Sequence, residues 1–434
     1  MGTSFPLSGF AAAVRSALGG ARISKVAGLT TWRVLAAAGS LLSVTAIVRF
    51  FPADEAGKFF VFLAAAQFVA GAALGPMQVL AIRFGSVHRA DDDPESLGRL
   101  VLFGVGATLS VVVLSLLAHP FASGHLNLPL DNGLVFACAV GLGGAVYFLG
   151  GLARVNGKVI AALVPEGILK PVGIALAAFA LWLLGAATFP ALATGYLLVL
   201  FLVCAVLAAM GPWSASRISL GNLAGYRAYF RAYPSLLLYG LVSTALTTFD
   251  IMIVSRYVSV EAVSAYKAGA QYAMLLGTGV LFANVIYGPQ IAVAYQRQDQ
   301  PSLQRLATAS SRLSFGFFVV AFLPLLAGPW PFETMFGAVG TEAWLLALIL
   351  CAGRFVNACF GSVTNIANLS GKTAILVMAQ GCGLLLLLLL GPLLGARFGA
   401  AGVAAAAGLA MTAWVIATVF FMGRSLKLRM GPLT

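Results

Sequence analysis

The feature of this 434-residue sequence that most limits its fold is a series of apolar runs, each long enough to cross a lipid bilayer. A helix rises about 1.5 Å per residue, so roughly 20 apolar residues cross a hydrocarbon core of about 30 Å. The runs predict about twelve membrane-spanning helices, at residues 28–48, 59–82, 99–118, 132–152, 159–184, 190–210, 233–255, 262–292, 308–328, 342–369, 373–395 and 399–422. The eighth and tenth ranges are longer than a bilayer requires, so these two helices are expected to tilt or kink.

Composition supports the same fold class, an all-α integral membrane protein. Hydrophobic residues make up 61% of the chain and charged residues only 9%, whereas a soluble domain is about 25% charged. The net charge of +13 would suit a nucleic-acid partner. However, the apolar runs leave no soluble domain to carry a basic patch, so a nucleic-acid partner is excluded.

Nothing in the sequence indicates an enzyme, a cofactor or a metal site. The five cysteines lie in apolar runs without the spacing of metal ligands, and the three histidines form no cluster. No nucleotide-binding loop or nucleophile motif occurs in the sequence. We therefore predict no catalytic residue and no bound metal or cofactor.

The distribution of Lys and Arg predicts how the chain is oriented. Eighteen of these residues fall in the N-terminus, the even-numbered loops and the C-terminus, against four in the odd-numbered loops. Basic residues are enriched in cytoplasmic loops, so both termini are predicted to be cytoplasmic. The segment from Phe10 to Lys25 mixes basic and apolar residues and is predicted to be an interfacial amphipathic helix.

Two segments of the chain are related by a shift of 206 residues. Ile47–Phe60 and Ile253–Tyr266 share identical residues at four equivalent positions and an aromatic residue at their last position. Both segments join an outward-going helix to its inward-going successor, which predicts a parallel repeat of six helices plus six. The predicted organisation is an N-terminal six-helix bundle with its interfacial segment at 1–210, a cytoplasmic linker at 211–231, and a C-terminal six-helix bundle at 232–434.

Three short motifs occur at or near helix ends. The first consists of Arg49, Phe50, Phe51, Pro52, Asp54, Glu55, Gly57 and Phe59. The second consists of Asp250 in the apolar run 249–257, followed by Glu261 and Tyr266. The third is a turn with Asn357, Asn365, Asn368, Gly371 and Lys372. With the helix layout, these motifs resemble the Wzx-type polysaccharide transporters of the multidrug/oligosaccharidyl-lipid/polysaccharide exporter superfamily. The chain departs from that family at Val263 and Ser264, where the family often has a glycine.

The resemblance implies two six-helix bundles around a central cavity that opens alternately to the two sides. It also implies a flippase that moves an undecaprenyl-pyrophosphate-linked oligosaccharide across the bacterial inner membrane, for surface or exopolysaccharide assembly. The expected partners are this lipid-linked substrate and membrane lipids, with a polysaccharide polymerase and export proteins as further candidates.

Six ionisable residues lie inside the predicted spans, where each charge costs about 2.5 to 3.5 kcal/mol at the helix centre. Asp250 and Lys267 have matching depths on adjacent helices, so they either pair or serve the transport pathway. Glu166 and Lys170 are four residues apart between Pro165 and Pro171. Their spacing predicts an ion pair in an interrupted helix, and interrupted helices also occur at transport sites. Asp250 and Glu166 are therefore predicted coupling or pairing residues.

Arg354 has no obvious partner in the sequence and lies near the predicted midplane. It is either a ligand for pyrophosphate or a structural residue bonded to backbone carbonyls. Arg33 lies near the inner face, where it either contacts substrate or extends to the interface. The charges of the six residues sum to +2, which suits an anionic lipid head group. The predicted substrate-binding residues are Arg354, Lys267, Lys170 and Arg33.

Two alternative functions remain. An ion-coupled small-molecule exporter would share the architecture, although export of cations would favour an acidic cavity. A membrane glycosyltransferase or polymerase acting on the same lipid would need a sizeable catalytic loop outside the membrane. The longest predicted outer connection has only about a dozen residues, which counts against this second alternative.

Overall fold

The computed structural model describes residues 20–126, 132–156, 159–213, 223–426, 428 and 431. Within these ranges the chain is helical apart from its short connections. Most of the predicted interfacial segment, up to residue 19, lies outside the described residues.

The helices follow the predicted spans in order, so they carry the same numbers. The first six are α1 (Gly20–Phe50), α2 (Ala53–Ala90), α3 (Pro94–Leu126), α4 (Gly133–Val155), α5 (Val159–Val164, Pro165–Leu169 and Lys170–Leu183) and α6 (Phe189–Ala209). The next four are α7 (Arg227–Tyr257), α8 (Val260–Gln296), α9 (Gln300–Leu326) and α10 (Trp330–Phe360). A short helix, Val363–Leu369, precedes the last helical segment.

The last helical segment, Thr373–Leu426, contains two spans. Its 54 residues would extend about 81 Å as one helix, more than twice the thickness of a hydrocarbon core. Gly399 interrupts it with a φ of 58° and a ψ of −137°. A Cβ atom on Gly402 would lie 2.1 Å from the carbonyl oxygen of Leu394, so the two parts fold back on each other. Residues 373–398 therefore form α11 and residues 400–426 form α12, which confirms the predicted all-α membrane fold for the described residues.

Several spans are interrupted. The two longest predicted spans are both interrupted, as expected. In α8 the amide of Gly277 donates to the carbonyl oxygen of Met274, three residues earlier, and the predicted range 342–369 breaks at Gly361, which has a φ of 57° and ends α10. α5 contains a π-helix at Pro165–Leu169, where two prolines predicted an irregular backbone. α2 contains a second π-helix at Ala70–Leu74, which no sequence signal predicted. Several transmembrane helices are therefore interrupted by glycines or by short π-helices.

A second pair of segments shows the 206-residue relationship. Asp92 and Gln298 both adopt positive φ angles, 51° and 55°, in the turns that precede α3 and α9. The side chain of Asp93 accepts a hydrogen bond from the Ser96 amide at 2.9 Å, and Asp299 accepts one from the Ser302 amide at 3.0 Å. The same turn and helix start therefore occur twice, as a parallel repeat requires. The exact domain boundaries stay a prediction.

Contacts between the two halves come mainly from α1 and α2 on one side and α7 and α8 on the other. Gly71 on α2 approaches Thr244 on α7 so closely that a Cβ atom would lie 2.8 Å from the Thr244 methyl group. Gly71 and Gly75 form a Gly-x-x-x-Gly pattern, which typically lets helices approach closely, but a Cβ atom on Gly75 would meet no atom within 4 Å. Only the first glycine of the pattern therefore serves packing.

We name the two ends of the molecule according to the predicted orientation. We call the end with the α1–α2 and α7–α8 turns, at Pro52 and Ser259, the outer end. The opposite end, with the turns at Asp92 and Gln298, is the inner end. The orientation itself rests on the charge distribution and stays a prediction.

Candidate substrate and coupling site

Asp250 on α7 is held by hydrogen bonds and not by a direct ion pair. Its Oδ2 atom accepts a hydrogen bond from the Tyr266 hydroxyl at 3.1 Å, and its Oδ1 atom accepts one from the Ile251 amide at 2.9 Å. Lys267, the predicted partner, forms no direct ion pair with Asp250 in the described part of the chain. Successive helix positions are about 100° apart, so when Tyr266 points at Asp250 its neighbour Lys267 points elsewhere. Asp250 and Lys267 therefore do not form the direct pair that was one of the two alternatives for them.

Lys267 lies on the face of α8 that meets the first half of the chain. Ser264 donates a hydrogen bond to the carbonyl oxygen of Ala53 at 2.7 Å, and Gln271 donates one to the Ser40 hydroxyl at 2.8 Å. Lys267 is three residues after Ser264 and four before Gln271, a spacing that places all three on one helix face. Lys267 is half-buried and, among the described residues, makes no hydrogen bond. Its ammonium group is thus unpaired at the interface between the halves.

Arg354 on α10 lies beside the interruption of α8. Its Nη1 atom is 3.5 Å from the position that a Cβ atom on Gly277 would occupy. The side chain is half-buried and forms no hydrogen bond or ion pair with any residue that the structure describes, so backbone carbonyls do not hold it. Asp250 and Tyr266 are the two ionisable groups of the described chain within electrostatic range of its guanidinium. We call Asp250, Tyr266, Lys267 and Arg354 the second-half cluster, which carries two positive charges and one negative charge.

Glu166 on α5 forms its ion pair with Arg154, which was predicted to lie in the loop between α4 and α5. Its Oε2 atom lies 3.3 Å from Nη2 of Arg154, and its Oε1 atom accepts a hydrogen bond from Gln78 at 3.2 Å. The side chains of Arg154 and Glu166 are only 19% and 22% exposed. The predicted ion pair with Lys170 is therefore wrong. The chain reverses between α4 and α5, which brings Arg154 against Glu166, a contact that helical spacing within α5 cannot report.

Lys170 instead lies over an aromatic ring. Its Nζ atom is 5.9 Å from the ring centroid of Tyr196, which is 2% exposed, at the distance of a cation–π interaction. Gly150 on α4 makes room for the neighbouring carboxylate, because a Cβ atom there would lie 2.0 Å from Oε1 of Glu166. We call Gln78, Arg154, Glu166 and Lys170 the first-half cluster.

Arg33 is not part of either cluster. It is exposed on the inner half of α1 and makes no hydrogen bond with the described residues. Of the four predicted substrate-binding residues, the structure therefore places Lys267 and Arg354 in one cluster, Lys170 in another, and Arg33 apart.

Three members of these clusters, and Gly150 beside the first-half cluster, were not predicted from the sequence. Arg154 was assigned to a loop, and Gln78, Tyr266 and Gly150 are unremarkable within apolar helices. Tyr266 belonged to the quoted family motif, which was the only signal that pointed to it. The others become visible only when α2, α4 and α5 are placed side by side.

The arrangement of the described spans is similar to the fold of solved transporters of the MOP superfamily. An inward-facing multidrug resistance MATE family transporter of that superfamily is similar to this chain with a TM-score of 0.73, 13% identity, and 92% of this chain and 98% of that chain covered. The lipid II flippase MurJ, in an inward closed conformation, is similar with a TM-score of 0.69, 14% identity, and coverage of 91% and 86%.

A third solved structure with this fold differs in its binding site. It is a MOP superfamily transporter from Pyrococcus furiosus, with a TM-score of 0.62, 14% identity, and coverage of 93% and 95%. The reverse polarity of its binding pocket is reported to suggest a different function for that protein. No protein-family model and no curated protein sequence matches the chain. At these identities the similarity shows the fold, and the fold accommodates binding sites of different charge.

Proposed function

We propose that this chain is a Wzx-type flippase that moves an undecaprenyl-pyrophosphate-linked oligosaccharide across the bacterial inner membrane by alternating access. The observation that carries the proposal is the pair of unpartnered cations, Lys267 and Arg354, inside membrane spans. A charge left without a partner in a span is costly, so such residues commonly mark a substrate or ion pathway. An anionic group bound between them would compensate both charges.

The chemistry of the cations suits an anionic head group such as a phosphate. The guanidinium of Arg354 offers a planar fork that matches two phosphate oxygens, and the ammonium of Lys267 supplies a second positive charge in the same half of the chain. Both lie on helices that contact the interface between the halves. Lys170 would extend the positive surface into the first half, and Arg33 would meet the head group only at the inner entrance.

Replacement of Arg354 tests this proposal. Arg354→Ala in vesicles that contain the purified protein should lower the flipping of a fluorescent undecaprenyl-pyrophosphate saccharide roughly 10- to 100-fold, the loss expected for hydrogen bonds to a charged group. Arg354→Lys should restore only part of the rate, because a point charge lacks the bidentate fork. Arg397→Ala, a change of an exposed arginine at the outer end, is the matched control. Flipping at the parent rate by a folded Arg354→Ala protein would refute the proposal.

A second candidate is an ion-coupled exporter of small molecules. The hydrogen-bonded carboxylate of Asp250 favours it, because such a group could bind a proton or a sodium ion. Vesicles with an imposed proton or sodium gradient would distinguish the two functions. Gradient-driven movement of small organic cations, with no movement of the lipid-linked saccharide, would support the exporter.

The flippase proposal includes a cellular setting. The protein would lie in the inner membrane of a bacterium and pass its substrate to a polysaccharide polymerase and export proteins. The glycosyltransferase or polymerase alternative draws no support from the similar structures, which are named as transporters and a flippase.

A further inference from the structure

The two repeated segments at the outer end pack directly against each other. The start of α2 meets the start of α8 so closely that a Cβ atom on Gly57 would lie 1.9 Å from the carbonyl oxygen of Val260. Ser264, which is 0% exposed, donates its hydrogen bond across the same contact to the carbonyl oxygen of Ala53. We call the contacts of Gly57 with Val260 and of Ser264 with Ala53 the outer seal.

Each side of the outer seal is fixed to its own half of the chain. Glu55 at the start of α2 accepts a hydrogen bond from the Phe189 amide at the start of α6, at 2.5 Å. On the other side, α8 packs closely on α10, since a Cβ atom on Gly269 would lie 2.6 Å from the carbonyl oxygen of Ala343. The helix starts must therefore move with their own halves, and the seal opens only when the halves separate at the outer end.

Gly57 is the position at which this contact tolerates no side chain. A carbon atom in ordinary contact stays at 3.4 Å or more from its neighbours, so a methyl group at residue 57 would require the two helix starts to separate by about 1.5 Å. The equivalent residue in the second half, Val263, is 0% exposed and carries a full side chain. The contact between the two segments is therefore asymmetric. Position 57 must be glycine, whereas the equivalent position 263 accommodates a valine.

We infer that the outer seal is the outer gate of the transport cycle and that the missing side chain of Gly57 is what permits the gate to close. A side chain at this position clashes only in the conformation with a closed outer end. It therefore shifts the population towards the conformation that is open to the outside. The inference rests on the proposed transport function only in requiring two alternating conformations, and it does not depend on the substrate.

A cysteine beneath the seal reports the state of the gate. Ser40 on α1 lies about 15 Å below the outer end of its helix by helical rise, and it contacts Gln271 at the interface between the halves. Ser40→Cys, in a background that lacks the five native cysteines, is labelled in intact cells with a membrane-impermeant maleimide. Gly57→Ala should raise the labelling rate at least about tenfold over the parent protein, because a clash of this size makes the closed state rare.

Two further variants make the test decisive. Gly75→Ala adds the same methyl group to the same helix at a position with no atom within 4 Å, so its labelling rate should equal the parent rate. Ser264→Ala removes the hydrogen bond of the seal without adding bulk, and it should raise labelling about fivefold, the shift expected for one hydrogen bond. If Gly57→Ala does not reach the membrane, the labelling rate of Ser264→Ala decides whether the outer seal is the gate.

The result that overturns the inference is labelling at the parent rate in folded Gly57→Ala or, where that variant is not produced, in folded Ser264→Ala. Labelling needs no substrate, so it is independent of the flipping assay. If Arg354→Ala retained normal flipping, the proposed substrate would be wrong while raised labelling in Gly57→Ala would still support the gate.

Discussion

The ion pair between Arg154 and Glu166 gives the sharpest test of the site geometry. At 3.3 Å, two unit charges attract by about 5 kcal/mol for an effective dielectric constant of about 20. Removal of one partner from a buried pair costs about 3 to 5 kcal/mol. Since both side chains are about one-fifth exposed and Gln78 still donates to Glu166, we expect Arg154→Met to destabilise the protein by about 2 to 3 kcal/mol.

A variant of Lys170 tests whether Glu166 pairs with Arg154, its partner in the structure, or with Lys170, its neighbour by helical spacing. Lys170→Met should cost only about 0.5 to 1 kcal/mol, because its visible contact is the ring of Tyr196. The double variant Arg154→Met with Glu166→Gln should recover most of the stability lost in Arg154→Met, since no unpaired charge remains. With the single variant Glu166→Gln measured as well, the coupling energy should be about 2 kcal/mol.

Thermal unfolding of the purified variants in one detergent measures these effects. The expected order of midpoints is parent, then Lys170→Met, then the double variant, with Arg154→Met lowest. If Arg154→Met and Lys170→Met unfold at the same temperature, the assignment of the pair is wrong. Additive losses in the double variant would contradict the argument as well, because they would mean that the two charges do not interact.

Two further predictions concern the second-half cluster and the orientation. Asp250→Asn should keep protein abundance near the parent level, because the amide oxygen can still accept the Tyr266 hydrogen bond. It should lower transport only if the charge of Asp250 has a coupling role. Membrane abundance and flipping rate are measured together, and a large loss of folded protein would contradict the expected abundance. Cysteine at Asp92 should resist an impermeant thiol reagent in intact cells and cysteine at Arg397 should react, and the reverse pattern would invert the predicted orientation.

Hydropathy located several spans to within a few residues. The predicted range 190–210 corresponds to Phe189–Ala209, and 132–152 corresponds to Gly133–Val155. The start of α2 was placed too late, at residue 59, because Asp54, Glu55 and Lys58 were read as a loop. In the structure Lys58 pairs with both carboxylates on the helix surface, so these charges are compatible with a helix at the membrane interface.

The start of α7 was missed for a different reason. The helix begins at Arg227, six residues before the predicted start, although Arg227 and Arg231 are charged. Tyr229 within this first turn is 2% exposed, and its hydroxyl lies 2.9 Å from Nε2 of His88 and donates to the carbonyl oxygen of Ser96. The segment is thus stabilised by packing on the first half, a contact that no local pattern of α7 contains.

The sequence alone determined the class of fold, the order of the spans and most of the ionisable residues within them. Each of these follows from the free energy of placing single segments in lipid, which depends on local composition. Only the tertiary structure decided which charges meet. Asp250 bonds to Tyr266 and Glu166 to Arg154, while Lys267 and Arg354 have no direct partner among the described residues. These contacts depend on how helices distant in sequence are rotated and packed against each other, which residue spacing within one helix does not predict.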